Sequence, residues 1–298
     1  MVAGLFVIPA FFLLIPSISF EITLFQSFLF QAMLAYGVFS IIWILKRHYR
    51  VASTNFVIYL LLLMKINGPL DVTINVRQGE EELKVLQFNL LTRNTSYDET
   101  ITRIQALDPD LISFQEVSST WADKLEMALV SQYPYNKIAT AQEEGQGIAV
   151  FSKNPLSEVE VYDWIGTQNI VGKVKLENEE INFVALHTRS PMSRARYDNR
   201  NEHLKIAQEY IAEKEGEFLV LGDFNTVPWD KRLVSFRSKT KLRDSRKKLT
   251  PTYPTWNPFL AQIPIDYIFH SDGIGCDSLN AVRITSDHKA IMGSFLLK

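Results

Sequence analysis

Two patterns of apolar residues divide the chain near residue 66. Before it the apolar positions are almost continuous, and after it they come in short runs separated by polar punctuation. Residues 2–20 and 22–45 form two long apolar stretches, interrupted by Pro16 and Glu21. The second, Ile22 to Leu45, carries no charge over its 24 residues. At about 1.5 Å per residue that is enough to cross a hydrocarbon core of about 30 Å. A third run, Val51 to Ile66, is shorter and carries Lys65, which is placed to snorkel at its end. The expectation is a multi-pass anchor over residues 1–66, with two or three spans. The competing readings are a signal peptide plus one anchor, or two spans with residues 51–66 lying at the interface. A signal peptide opens on a basic segment, and Met1-Val2-Ala3-Gly4 offers none. Lys46-Arg47-His48-Tyr49-Arg50 assigns that turn to the cytoplasmic side. Three spans then put the rest of the chain outside: a protein of the cell membrane with an extracytoplasmic domain.

Asn67-Gly68-Pro69 and the polar stretch Arg77 to Glu82 make 67–82 a linker and 83–298 a folded domain. Strand-like runs fall at 83–90, 110–115, 135–140, 147–152, 157–163, 169–176, 181–187, 217–221, 264–269 and 289–296. Helical periodicity fits 98–107, 118–132 and 199–214. Ser118-Ser119-Thr120 and Asp198-Asn199 supply candidate N-caps for the second and third helices. So many strands with so few helices predict an α/β fold of two mostly antiparallel sheets packed face to face, with helices outside.

Charge changes the picture only slightly. The chain has 31 Lys/Arg and 33 Asp/Glu, and residues 1–66 hold four of those bases against Glu21 alone. The remainder is therefore net acidic, which argues against a protein bound mainly by general phosphate-backbone attraction. Cys276 is the single cysteine, so no intrachain disulfide and no cysteine metal site are available.

Chemistry concentrates at strand ends. Leu83–Leu91 ends near a carboxamide, Asn89, and Asp110–Glu116 ends in a carboxylate. Glu116 with Asp287, and Asn89 as a weaker or water-mediated partner, matches the sparse protein shell of a Mg²⁺-type ion. Phe183–Pro191 delivers His187 to a loop. In Gly222-Asp223-Phe224-Asn225 the glycine permits close backbone approach, and a continuing strand would point Asp223 and Asn225 the same way. Asp266 lies inside an apolar strand and needs a partner, for which an imidazole is the natural choice. Ser286-Asp287-His288 supplies that imidazole and another metal ligand.

With these blocks in this order, residues 80–298 resemble the endonuclease/exonuclease/phosphatase family, the deoxyribonuclease I-like fold. The segment Gly145–Lys153 adds to the likeness. The resemblance implies a four-layered α/β sandwich and hydrolysis of a phosphate ester with a divalent metal, usually Mg²⁺, with Mn²⁺ or Ca²⁺ as alternatives. It implies Glu116 as principal ligand with Asn89 in support, and Asp287 completing the metal side. Asp223 and Asn225 would orient nucleophile and phosphate. His288, paired with Asp266, would act as general base, and His187 would contact the phosphate or protonate the leaving group. A carboxylate usually steadies that histidine; Gly145 stands near the corresponding place and Glu144 is one residue off. The N-terminal spans and Val220–Trp229 are most similar to the membrane-anchored bacterial branch.

Three functional classes remain open. The first is a membrane-anchored phosphodiesterase or phosphatase of a lipid headgroup or other envelope molecule, for which the anchor concentrates enzyme beside substrate. The basic run Arg237, Lys239, Lys241, Arg243, Arg246, Lys247 and Lys248 would face anionic lipid, or else form a solvated loop. The second is a nuclease tracking DNA or RNA along the same run. The third is a silent binding module, disfavoured because every residue of the constellation is present. Arg189 and Arg200, with Arg194 and Arg196, are candidates for a second phosphate, and Trp256 for a pocket wall or interfacial foot.

Overall fold

A computed structural model describes residues 2–69, 81–141, 143, 145–177 and 179–297. Four helices come first: α1 (Val2–Leu14), α2 (Phe20–Gln26), α3 (Leu29–Leu45) and α4 (Tyr49–Asn67). Then follow β1 (Glu81–Asn89), α5 (Tyr97–Leu107), β2 (Leu111–Gln115), α6 (Ser119–Leu129), β3 (Tyr135–Ala139) and β4 (Ile148–Ser152). The second half holds β5 (Leu156–Asp163), β6 (Gln168–Lys175), β7 (Glu180–His187), α7 (Arg194–Ala212), β8 (Phe218–Asp223), α8 (Lys231–Thr240) and β9 (Arg243–Asp244). A single 3-10 turn (Phe259–Ala261) precedes β10 (Asp266–His270), β11 (Gly275–Arg283) and β12 (Lys289–Leu297).

The strands form two six-stranded sheets, ordered β11-β12-β1-β2-β4-β3 and β5-β6-β7-β8-β10-β9. Each is antiparallel except for one central parallel pair, β1 with β2 and β7 with β8. A helix, α5 or α7, makes each crossover, as parallel neighbours require. The two sheets thus repeat one topology. The seam between them is a dry core of Leu83, Val85, Val150, Ile170, Phe183, Leu219, Ile291 and their neighbours. Trp121, Leu125 and Ile104 bring α5 and α6 onto the outer face of the first sheet. Leu204, Ile211, Leu233 and Phe236 bring α7 and α8 onto the second. The result is the expected order of layers: helices, sheet, sheet, helices.

The N-terminal helices depart from the expected spans. The residue 2–20 run is helical only to Leu14, and the 22–45 run breaks into α2 and α3, which meet at 58°. Among the described residues α4 alone qualifies by length and composition as a membrane-crossing helix, or there are two spans if the bent α2–α3 pair counts as one. These helices also pack against the rest of the chain. Ala10, Leu13, Leu29, Met33, Ile58 and Leu62 share one core with Val227, Trp229 and Ile265 of the sheet-bearing part of the chain. Trp229 Nε1–H donates to the Gln26 carbonyl at 2.7 Å, and the Lys231 N–H to Ser17 Oγ at 2.8 Å. Residues 70–80 of the expected linker lie outside the described residues.

Smaller corrections follow from local chemistry. The third helix of the folded domain, α7, starts one turn before Asp198-Asn199, because Ser193 Oγ caps it by accepting from the Arg196 N–H. The Ser118 cap stands, with its hydroxyl accepting from the Trp121 N–H. Strands β9 and β11 and helix α8 were not expected.

Candidate active site

Register brings the polar strand ends together. His187 faces Asp223 across the parallel β7–β8 pair, and Asp223 faces Asp266 across the antiparallel β8–β10 pair. These three residues therefore lie in one row. Asn89 and Gln115 face each other at the same end of the first sheet, one residue before Glu116. Gly222 is required by the tight β7–β8 approach, since a Cβ there would stand 1.9 Å from the Leu186 carbonyl oxygen. Strand β8 stops at Asp223, so strand alternation does not align Asn225. A left-handed backbone does: φ is 46° at Asn225, and 58° at Glu116 just past β2. Strained positions of this kind mark places where the surroundings dictate a side chain's direction.

The side chains converge on a cavity of about 640 Å³, lined among others by Glu116, His187, Asp223, Asn225, Asp287 and His288. His288 Nδ1–H donates to Asp266 Oδ2 at 2.9 Å, while Gln87 Nε2 donates to Asp266 Oδ1 at 3.0 Å. The remaining His288 nitrogen, Nε2, and His187 Nε2 each stand 3.7 Å from Asp223 Oδ2. Asn225 donates to the Thr188 carbonyl at 2.8 Å and approaches His187 Nε2 at 3.4 Å. Glu116 accepts from Asn89 Nδ2 at 3.1 Å and from the Thr92 N–H at 3.0 Å.

Electrostatics show a site crowded with negative charge. Burial pushes the Asp223 carboxyl up to about 8, and the Asp266 carboxylate adds to the rise. Burial works to lower His288, but the Asp266 and Asp223 carboxylates prevail and raise it to about 10. Burial likewise raises Glu116, yet His187, the Thr92 N–H and Asn89 outweigh it and hold that carboxyl below its ordinary value. Asp287 is raised, by burial and by nearby Glu116 against the pull of His288. His187 is lowered, chiefly by burial.

This donor set fits a hard divalent cation. Glu116 stays ionised, Asp287 lies close enough to feel it, and both line the open cavity. Asp223, Asp266 and His288 also bring ligand atoms within 4.8 Å of one another. That trio is better read as a hydrogen-bonded Asp266–His288 pair with Asp223 beside it, because both Asp266 oxygens are already taken by His288 and Gln87. Asn89 is corrected in its manner of support. Its Oδ1 accepts from the Leu91 N–H, and its Nδ2 ties Glu116 to Asp223 Oδ2 at 3.2 Å. It acts as a donor to the carboxylates.

Among the substrate candidates, Arg189 and Trp256 line the cavity, Arg189 through a bidentate bond to Glu143. Arg200 does not line it. It is buried against Asp230 and donates to the Asn225 carbonyl, so it holds the loop in place of binding a ligand. Arg93 and Arg196 also line the cavity. The basic run is no continuous patch: Arg246 is buried against Asp244 and stacked on Tyr267, Arg243 pairs with Asp272, and Arg237 donates to the Pro69 carbonyl. Glu144, weighed as the partner of His187, lies outside the described residues.

Two contributors were missed. Gln87 is fully buried behind the relay, and Tyr253 packs its ring 4.7 Å from that of His288. Gln87 carried a signal, since it sits two residues before Asn89 on an apolar strand and shares its face.

Residues 72–288 match the sequence profile of the Endonuclease/Exonuclease/phosphatase family. No relative was found among curated proteins. Among solved structures, an endonuclease/exonuclease/phosphatase from Bacteroides vulgatus superposes with a TM-score of 0.64 at 16% identity, covering 74% of this chain and 100% of that one. D. rerio TDP2 complexed with single strand DNA product gives 0.61 at 15%, covering 72% and 99%. Sphingomyelinase C from Streptomyces griseocarneus gives 0.56 at 15%, again covering 72% and 99%. At such identities the likeness is one of fold.

Proposed function

The chain belongs to the endonuclease/exonuclease/phosphatase family, and from that premise we propose a membrane-held phosphodiesterase, dependent on a divalent metal, that acts on a lipid headgroup or another phosphorylated envelope molecule. As a member of this family it is a hydrolase of phosphoric esters. The observation that carries the mechanism is the relay Asp266–His288, whose free Nε2 faces the cavity beside Asp223. Mg²⁺ bound by Glu116 and Asp287, with Asn89 in support, would neutralise charge on the phosphate. With the Asp223 and Asp266 carboxylates that raise it offset by a bound cation, His288 has its Nε2 free to take the proton of the attacking water, while Asp266 holds the ring tautomer. Asp223 and the Asn225 amide hold that water and a phosphate oxygen in line. His187, kept neutral by burial, donates a hydrogen bond to a phosphate oxygen, and the departing alkoxide takes its proton from water, so that one P–O bond forms as the other breaks.

Residues 1–66 form the membrane anchor, with 83–298 as the catalytic domain on the extracytoplasmic side. The apolar outer surface of α1, α3 and α4 supports this reading: Val7, Phe11, Phe39, Ile42, Val57 and Leu61 are all exposed. The arginines that line the cavity also suit a nucleic acid, which makes a tethered nuclease the second reading.

The test uses the full-length protein with Mg²⁺ or EDTA on phospholipid vesicles, single- and double-stranded DNA, RNA and bis(p-nitrophenyl) phosphate. Turnover should require the metal and fall by at least about 10²-fold in Glu116→Ala and His288→Ala, with the fold retained. Undiminished turnover in those variants would sink the mechanism. Cleavage confined to nucleic acid, falling steeply with salt, would establish the nuclease.

A further inference from the structure

The segment Thr252–Gln262 is held rigidly on two sides. On one it is bonded to the loop that carries the relay histidine: the Thr255 N–H donates to the Asp287 carbonyl at 2.8 Å, and Thr255 Oγ1 to the Ser286 carbonyl at 2.7 Å. On the other it meets the N-terminal helices. Gln31 Nε2 of α3 donates to the Gln262 carbonyl at 3.1 Å, and Tyr253 and Ile263 pack against the shared helical core. Such a braced loop has no need to show apolar groups to water. Yet Trp256, Phe259 and Leu260 at its tip are 63%, 52% and 55% exposed.

Their position gives them a partner. The 3-10 turn bearing Phe259 and Leu260 touches α3, whose N-terminal end lies beside exposed Phe25 and Phe28. The apolar strip thus continues from the outer surface of the helices onto the loop. At the opposite end of α3 stand Lys46, Arg47 and Arg50, about 25 Å away for its 17 residues. In an embedded bundle basic residues mark the cytoplasmic interface and aromatic residues gather at both, and this loop would supply aromatics at the far one. The cavity reaches this loop: Trp256 and Tyr253 line it together with Arg93 and Arg196. A lining that is aromatic in part and cationic in part suits a phosphodiester that carries acyl chains.

We propose that Thr252–Gln262 is an interfacial foot, seated among lipid headgroups, through which the enzyme takes the phosphodiester of a phospholipid directly from the bilayer. This rests on the phosphodiesterase reading above and narrows it to substrate still in the membrane.

The test reconstitutes the full chain in vesicles of phosphatidylethanolamine and phosphatidylglycerol. It compares wild type with the Phe259→Ser/Leu260→Ser double variant, neither residue lining the cavity. Headgroup release should fall at least tenfold in the variant, while bis(p-nitrophenyl) phosphate turnover stays within twofold. Trp256 emission, isolated by difference against Trp256→Phe, should be quenched by lipids brominated near the headgroup end of the acyl chain. Unchanged headgroup release in the double variant, equal loss on both substrates, or an unquenched Trp256 would overturn the foot. A wild type that hydrolyses the soluble diester but no lipid would overturn the foot and leave the phosphodiesterase intact. A wild type inactive on every ester would overturn the reading beneath it.

Discussion

At the scale of single residues the site is governed by where protons sit. In the metal-free protein folded Asp223 keeps its proton to about pH 8, against 3.8 in the unfolded chain. The folded state binds the extra proton across that window, so stability falls as pH rises through it. His288 adds to the same trend: raised from 6.5 to about 10, it contributes stability that is full below 6.5 and lost on the way to 10. The melting temperature of the EDTA-treated full chain should therefore drop between about pH 5 and 9. In Asp223→Asn the drop should be shallower, as scanning calorimetry would show. Gln87 gives a second prediction. Replacing it by Leu removes the hydrogen bond to Asp266 Oδ1 and leaves a buried carboxylate oxygen short of a partner, at a cost of about 1–3 kcal/mol. Turnover should fall and its pH profile shift, whereas Gln87→Glu, lacking the donor when ionised, should not rescue it. Most of the site could be read from the sequence because strand-end acids and imidazoles in apolar surroundings stand out. Arg200 misled because its neighbours are also arginines, and only burial against Asp230 separates it from them.

At the scale of elements, α7 and α8 are tied by that pair. Asp230 caps α8 by accepting from the Arg232 N–H at 2.7 Å while facing Arg200 of α7. Arg200→Met should cost about 3–5 kcal/mol, because it strands a buried carboxylate. Urea denaturation would reveal the loss, and turnover of a small diester should fall with it, because Arg200 also braces the Asn225 carbonyl. The elements seen in the sequence were those with one dominant period. Helix α8 escaped because only Leu233 and Phe236 of its residues are buried, within a run of bases. Strand β11 escaped because it is an edge strand with a register shift between Cys276 and Ser278, which breaks the period of two. The bend between α2 and α3 has no breaker residue such as proline at the break to announce it.

At the scale of the whole molecule, the helices at the N-terminus and the catalytic half are one body. Deleting residues 1–66 would expose Val227, Trp229 and Ile265 and withdraw support from Tyr253 beneath His288. The truncated chain should keep its sheets by circular dichroism, yet self-associate on size exclusion and lose most of its turnover on a soluble diester. Full turnover by a monomeric fragment would show the helices to be mere attachment. The seam between the two sheets carries a different consequence. Asn89 reaches Asp223, Gln87 reaches Asp266, and His288 at the start of β12 reaches Asp266, each bond crossing from one sheet to the other. Neither sheet owns a working half. A newly made chain whose sheets have formed but not yet closed on each other holds every reactive group and no catalyst. The cell is thereby spared a loose phosphoesterase for as long as the protein is still being assembled.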